Sequence, residues 1–181
     1  MTKARDIASA APAPSTVSAT ELGYLDGVTS AIQTQVNTKA NSTTPTLTGP
    51  VLVAPEERIT VSATAATGTI NFDASTQGVL YYTSDATADW TLNVRGTSGA
   101  TLNSILATGD AVTVAFLVTN GATAYKHSAL TIDGSAQTVK FSGGTAPAAG
   151  SASAIDAYSF TIIKTASATY TVLGAGPIKY A

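Results

Sequence analysis

Apolar and polar residues follow two different periods along this chain. Between residues 20 and 40, apolar residues recur at separations of three or four positions, at Leu22, Leu25, Val28, Ile32 and Val36. This spacing places them on one face of a helix. From about residue 58 onward, apolar and polar residues alternate in short runs, which is typical of half-buried strands. The pattern predicts a short helical segment followed by a β domain.

The helical segment follows Ser18 and Thr20, two residues that favour the helix N-cap. Gly23 and Gly27 weaken its first half, so only two or three turns are expected, and a helix this short is not stable alone. Its apolar stripe must pack against the β domain or against copies of itself. Gln35 and Asn37 beside the stripe favour a narrow, coiled-coil-like bundle of copies. We therefore predict that the five apolar residues form an oligomerisation contact.

The β domain contains nine candidate strands separated by turn signals. The predicted strands cover residues 59–62, 69–73, 78–83, 90–95, 111–119, 129–132, 138–142, 158–164 and 169–173. Asn120-Gly121, Asp133-Gly134 and Gly143-Gly144 are dipeptides that favour turns. Many short strands without intervening helices indicate a mainly β fold, and we expect an antiparallel β-sandwich of the jelly-roll type.

Two of these strands show which side chains are buried. Trp90, Leu92 and Val94 alternate with polar residues, so one face of their strand is expected in the core. In the strand 111–119 both alternating sets are apolar, with Ala115 and Leu117 opposite the valines and phenylalanine. That strand is therefore expected at the centre of a sheet or at a subunit interface.

These features divide the chain into four parts. Residues 1–19 form an arm of small residues and prolines, either a disordered tail or a peptide that docks on a larger particle. Residues 20–40 form the helical oligomerisation segment. Residues 41–57 form a linker stiffened by three prolines, and residues 58–181 form the β head.

Composition excludes several classes of function. Charged residues are 11% of the chain and its net charge is −2, against about 25% charged residues in ordinary soluble domains. We expect no nucleic-acid partner, because the surface lacks the required positive charge. The chain has no cysteine, and no residue pattern predicts a metal or a cofactor. No apolar run reaches the roughly 20 residues that span a membrane, so membrane insertion is not expected.

The sequence offers little catalytic chemistry. His127 is the single histidine, and no nucleophile elbow, phosphate loop or dinucleotide fingerprint is present. Paired carboxylates could support glycoside hydrolysis, and Asp85, Asp89 and Glu57 are the candidates. Asp85 and Asp89 are more simply explained as the ends of a hairpin loop. We expect a protein that is not an enzyme and keep a carbohydrate-processing enzyme as the alternative.

A surface contact is predicted at Tyr125, Lys126 and His127. Aromatic rings stack on sugar faces, and Tyr125 is the one tyrosine that the pattern places in a polar loop. His127 follows it in the same predicted loop. These three residues are the candidate contact with a receptor, including surface carbohydrate.

Two stretches resemble structural proteins of tailed phages, particularly those of marine cyanophages. The first is Val17–Asn37, which contains Glu-Leu-Gly-Tyr-Leu-Asp-Gly-Val-Thr and is similar to a segment of tail-fibre-like proteins. The second includes Gly78-Val-Leu-Tyr-Tyr-Thr-Ser, Trp90-Thr-Leu-Asn-Val-Arg-Gly and Ser159-Phe-Thr-Ile-Ile-Lys-Thr. It is similar to the C-terminal β domain of fibre-like virion proteins.

The resemblance implies a virion protein without a catalytic site. We expect a short trimeric fibre or knob that is assembled in the host cytoplasm and exposed on the phage particle. Its arm would bind other virion structural proteins, and its β head would contact the host surface. A decoration or cement protein that stabilises the capsid or tail is the alternative.

Overall fold

The computed structural model describes Ser18, Thr20, Tyr24 and residues 56–181. Thr20 is helical, and the amide of Tyr24 donates a hydrogen bond to its carbonyl at 3.3 Å. Most of the predicted arm, helical segment and linker lie outside the described residues. The same holds for all of the predicted oligomerisation residues, Leu22, Leu25, Val28, Ile32 and Val36.

Residues 56–181 form ten strands and one short α-helix. The strands are β1 (Ile59–Ala65), β2 (Gly68–Asp73), β3 (Val79–Ser84), β4 (Trp90–Arg95), β5 (Ala111–Asn120), β6 (His127–Ile132), β7 (Ser135–Gln137), β8 (Val139–Phe141), β9 (Ala154–Ala166) and β10 (Thr169–Tyr180). Helix α1 (Leu102–Ile105) lies between β4 and β5, and a 3₁₀ turn (Ser142–Gly144) follows β8.

Each of the nine predicted strands overlaps a strand of the structure, so the prediction of a mainly β domain is confirmed. Sequence reasoning missed β7 and α1. Helix α1 has a local signal, because Thr101 precedes it and the Thr101 hydroxyl accepts a hydrogen bond from the amide of Ser104 at 3.1 Å. This is an N-cap, the same kind of signal as the one noted at Ser18 and Thr20.

The strands form two mixed sheets. The six-stranded sheet has the order β1-β3-β5-β9-β10-β8, and the four-stranded sheet has the order β2-β4-β6-β7. The prediction that β5 lies at the centre of a sheet is confirmed, because it pairs with β3 on one side and β9 on the other. One core cluster takes its buried side chains from both sheets, which therefore pack face to face.

The expected antiparallel, jelly-roll connectivity is wrong for most of the described domain. Strands β1, β3 and β5 pair in parallel, as do β2, β4 and β6 and the pair β8 and β10. The antiparallel pairs are β5 with β9, β9 with β10, and β6 with β7. A jelly roll consists of antiparallel Greek keys, whereas six consecutive strands here alternate between the two sheets.

This alternation explains the parallel pairing. The chain leaves β1, passes through β2 in the opposite sheet, and returns to form β3 beside β1 in the same direction. Parallel neighbours need a long crossover, and here a strand of the other sheet supplies it. Three such coils stack on one another, as in a solenoid. Their buried side chains align in rows, for example Ile70 with Leu92 and Leu130.

The three dipeptides predicted as turns adopt different structures. Asp133 and Gly134 have φ values of 51° and 82°, as a type I′ hairpin turn requires, and they join β6 to β7. Asn120 and Gly121 do not form a hairpin, because the chain crosses from β5 in one sheet to β6 in the other. Gly143 and Gly144 lie in the 3₁₀ turn with φ values of 80° and 79°.

The core is centred on Trp90. Its ring centroid lies 4.4 Å from that of Phe116 and 5.1 Å from that of Tyr158, both in the opposite sheet. The alternation in β4 correctly predicted the burial of Trp90, Leu92 and Val94, which are 0% exposed. Aromatic rings in such tilted arrangements contribute about 0.5–1.5 kcal/mol beyond the burial of their area.

Candidate functional site

His127 lies in the core and not in a surface loop, which corrects the prediction of a receptor contact at this residue. It is the first residue of β6 and pairs directly with Trp90 of β4. Its side chain therefore points inward beside the indole, and the residue is only 5% exposed. The error arose because an isolated polar residue after a turn signal resembles a loop residue, although here it begins a strand.

The chemistry of His127 follows from its burial. Loss of hydration, together with the neighbouring charge of Lys126, lowers the pKa of the imidazole to about 4. The ring is therefore neutral near pH 7. Its Nε2 atom has no hydrogen-bond partner among the described residues, and the centroid of the Phe160 ring lies 5.0 Å from its own.

Tyr125 and Lys126 are half-buried and held by hydrogen bonds. The amide of Tyr125 donates to Asn120 Oδ1 at 3.1 Å. The amide of Lys126 donates to Asp89 Oδ1 at 2.9 Å, and its Nζ donates to the carbonyl of Pro147 at 3.2 Å. A receptor contact at Tyr125 and Lys126 stays a prediction, and it loses His127 as its third member.

A buried polar cluster lies beneath this segment. Asp156 is 0% exposed, and its Oδ2 accepts hydrogen bonds from Asn120 Nδ2 at 3.1 Å and from the amide of Ser151 at 2.8 Å. Asn120 Nδ2 also donates to the carbonyl of Tyr125 at 3.2 Å. The cluster therefore connects two loops: the one that joins β5 and β6, and the one that precedes β9. The sequence carried no signal for it, because Asn120 and Asp156 are far apart along the chain.

The three candidate carboxylates of the enzyme alternative have separate surroundings. Asp89 accepts the amide of Lys126, the Asp85 carboxyl lies against Gly121, and the Glu57 carboxyl lies near Gly78. Within the described part of the chain, no group of three or more His, Cys, Asp or Glu side chains is arranged to hold a metal ion. No helix among these residues has the length and apolar character needed to cross a membrane.

The outer face of the four-stranded sheet is polar. Asn93 Nδ2 donates to Asn71 Oδ1 at 2.8 Å, and the Thr131 hydroxyl donates to Asn93 Oδ1 at 2.8 Å. In the next row, Arg95 Nε and Asp73 Oδ1 form an ion pair at 2.6 Å. We call this surface the polar face. Its side chains bond to one another across the strands, as expected of a sheet surface in contact with water.

Part of the outer face of the six-stranded sheet has the opposite character. The strand register aligns one row of side chains across five strands, from β1 through β3, β5 and β9 to β10: Val61, Tyr81, Leu117, Ala157 and Ile178. On one side of this row, Ile59, Val79 and Ala115 are aligned in the same way. On the other side, Ile155 is paired with Tyr180. We call this surface the apolar face.

The apolar face is accessible in the isolated chain. Val61 is 62% exposed, Ile178 is 55% exposed and Tyr180 is 57% exposed, while Tyr81 and Leu117 in the middle of the sheet are half-buried by their neighbours. Tyr82, the next residue of β3, points to the opposite side of the sheet and packs against the core. An exposed apolar surface of this kind is characteristic of an interaction site.

Comparison of the chain with protein-family models, curated proteins and solved structures gives no match.

Proposed function

We propose that this chain is a non-enzymatic structural protein of a phage particle, a short trimeric fibre or knob with a β head. The observation that carries the proposal is the exposed apolar face of the six-stranded sheet. A protein that works as a single soluble copy rarely exposes a continuous apolar surface to water. A subunit of an assembly covers such a surface with its neighbours, which removes the apolar area from water.

The composition supports the same proposal. With 11% charged residues, the surface has few groups that oppose close packing between copies. The resemblance of Val17–Asn37 to tail-fibre-like proteins supports a role in a particle. In this proposal the arm mounts the protein on other virion proteins, the helical segment bundles three copies, and the β head contacts the host surface.

Decoration of the capsid or tail is the second candidate. The apolar face favours it equally, because a cement protein also buries such a surface against its neighbours. In this case the copies would stabilise the shell and would have no receptor. The difference lies in where the protein sits on the particle.

Two measurements test the proposal. Light scattering of the purified full chain at micromolar concentration should give the mass of three protomers, and a monomer would contradict the trimer. Electron microscopy of particles labelled with an antibody to this chain should place it at the tail for a fibre or over the shell for a decoration protein. Absence of the chain from purified particles would reject a virion role.

The carbohydrate-processing alternative has its own test. The wild-type protein and a Glu57→Gln, Asp85→Asn, Asp89→Asn variant are incubated with host surface polysaccharide. We expect no release of saccharide from either protein. Release by the wild type that the variant lacks would favour the enzyme.

A further inference from the structure

We propose that the apolar face is the surface through which copies of this chain associate, and that its occupant is a second copy. This inference rests on the proposed assembled state. It adds a contact site in the β head to the bundle predicted for residues 20–40. The two contacts use different residues, because the apolar face lies entirely on β1, β3, β5, β9 and β10.

The register of the strands creates the face. Val61 pairs with Tyr81, Tyr81 with Leu117, and Leu117 with Ala157. Ile178 pairs with Ala157 from the other side. Directly paired residues of neighbouring strands share a face and lie about 5 Å apart. The row is therefore one continuous strip of apolar side chains that crosses five strands.

The polar face provides an internal comparison. Both outer faces belong to sheets with the same coiled connectivity, and both begin with an edge strand of the first coil, β1 or β2. On the polar face, Asn71, Asn93 and Thr131 form a hydrogen-bonded row. At the corresponding place on the apolar face stand Val61, Tyr81 and Leu117. Solvent contact explains the first row, and coverage by another apolar surface explains the second.

The size of the face fits a protein partner. Neighbouring strands are about 4.8 Å apart and residues on one face repeat about every 6.7 Å, so five strands and three rows cover roughly 500 Å². Two copies that bring these faces together would bury about 1,000 Å², the lower limit for a specific protein interface. A contact of this size supports assembly when the helical segments add a second contact.

Charge also favours a second copy. The paired positions of the face are apolar residues, serine and threonine, without a charged side chain. Such a surface offers nothing to a nucleic acid or a charged glycan, which require complementary charge. It is compatible with itself, because two copies that meet bury no unpaired charge.

The test places a charge on the face at two exposed positions. Val61→Glu and Ile178→Glu, singly and together, change side chains that are 62% and 55% exposed, so the fold should tolerate them. The matched control is Thr69→Glu, which places the same charge on the edge strand of the polar face. We expect each face variant to raise the dissociation constant at least tenfold by sedimentation equilibrium, and the control to leave it unchanged. Circular dichroism verifies that all variants fold.

A second measurement distinguishes a second copy from a segment of the same chain. The protein has no cysteine, so Val61→Cys and Thr69→Cys each provide a unique thiol. If a second copy covers the face, maleimide labelling of Val61→Cys slows as the protein concentration rises, while labelling of Thr69→Cys stays constant. Protection of Val61→Cys that is independent of concentration would show an intramolecular cover and overturn the inference.

The outcomes separate this inference from the proposed function. If the wild type assembles and the Glu variants assemble equally well, the face inference is overturned and the trimer depends on the helical segment. If the face variants dissociate but the wild type forms a dimer, the inference is supported and the proposed trimer is rejected. A monomeric wild type rejects both.

Discussion

The imidazole of His127 lies edge-on against the indole of Trp90, with ring centroids 5.2 Å apart and ring planes inclined by 69°. The two residues begin adjacent parallel strands and are paired in register. Their side chains therefore point inward together, and the single titratable imidazole of the chain becomes part of the aromatic core. This relationship has a direct consequence for stability as a function of pH.

Stability should fall as the pH falls from about 6.5 to about 4. Burial lowers the pKa of His127 to about 4, so in this range the unfolded chain binds a proton that the folded chain does not. The stability linked to the neutral imidazole is fully present above pH 6.5. It is lost progressively on acidification, by up to about 3 kcal/mol in the free energy of unfolding. Urea unfolding followed by the fluorescence of Trp90, at several pH values, measures it.

The control for this prediction is His127→Leu. Leucine removes the imidazole and keeps an apolar side chain in the core, so the loss of stability between pH 6.5 and 4 should become shallower than in the wild type. Because the chain has a single histidine, the difference between the two profiles belongs to this residue. Parallel profiles would contradict the assignment.

Lys164 should stabilise the region around α1. It is 7% exposed, and its Nζ donates to the carbonyls of Asn103 at 2.7 Å and Leu106 at 2.8 Å. Lys164→Met keeps the length of the side chain but leaves both carbonyls without this donor. We expect a loss of about 2 kcal/mol in the free energy of unfolding. Lys179→Met, at an exposed position, should change it by less than about 0.5 kcal/mol.

Gly150 should not tolerate even a methyl group. A Cβ atom at this position would overlap the carbonyl oxygen of Tyr125 and would lie 3.0 Å from Asp156 Oδ2. Because the overlapping carbonyl of Tyr125 belongs to the backbone, Gly150→Ala should destabilise the domain by about 2 kcal/mol. Gly99→Ala is the matched control, because a Cβ there meets no atom within 4 Å. Equal urea midpoints for the two variants would show that the loop before β9 can move aside.

Asn120→Asp should make stability depend on pH in the opposite direction to His127. The substitution places a second carboxylate where the amide now donates to Asp156 at 3.1 Å. Repulsion and burial raise the pKa of the carboxylate pair in the folded state, so stability is lost as the pH rises above about 4. We expect a penalty of about 3 kcal/mol at pH 7 relative to wild type.

Asn120→Ala controls for the loss of the amide without an added charge. Its penalty relative to wild type should stay the same between pH 5 and 8, whereas that of Asn120→Asp should grow. Comparison with wild type at each pH removes the contribution of His127. A penalty for Asn120→Asp that does not vary with pH would mean that solvent reaches the cluster.

Local alternation predicted the positions of nine strands and the burial of Trp90, Leu92 and Val94. It could do so because the side-chain period of a strand is a property of neighbouring residues. It did not predict the direction of pairing, since an alternating strand is compatible with parallel and antiparallel neighbours. The antiparallel expectation failed where the chain crosses to the opposite sheet after each strand.

The burial of His127 and Asp156 could not be predicted from the sequence, for a related reason. His127 reaches the core because β6 pairs in register with β4, and Asp156 is enclosed because β9 brings it beside Asn120. Both environments are made by segments distant in the chain. A local pattern cannot distinguish such residues from ordinary loop residues.

The sequence by itself determined the positions of nine of the ten strands, the burial of Trp90, Leu92 and Val94, and the low charge of the chain. Only the tertiary structure decided that Val61, Tyr81, Leu117, Ala157 and Ile178 form one row. Each strand contributes only one or two outward apolar residues, and a few exposed apolar residues are common in proteins. The register of five strands aligns them into one surface, because register depends on contacts between distant segments.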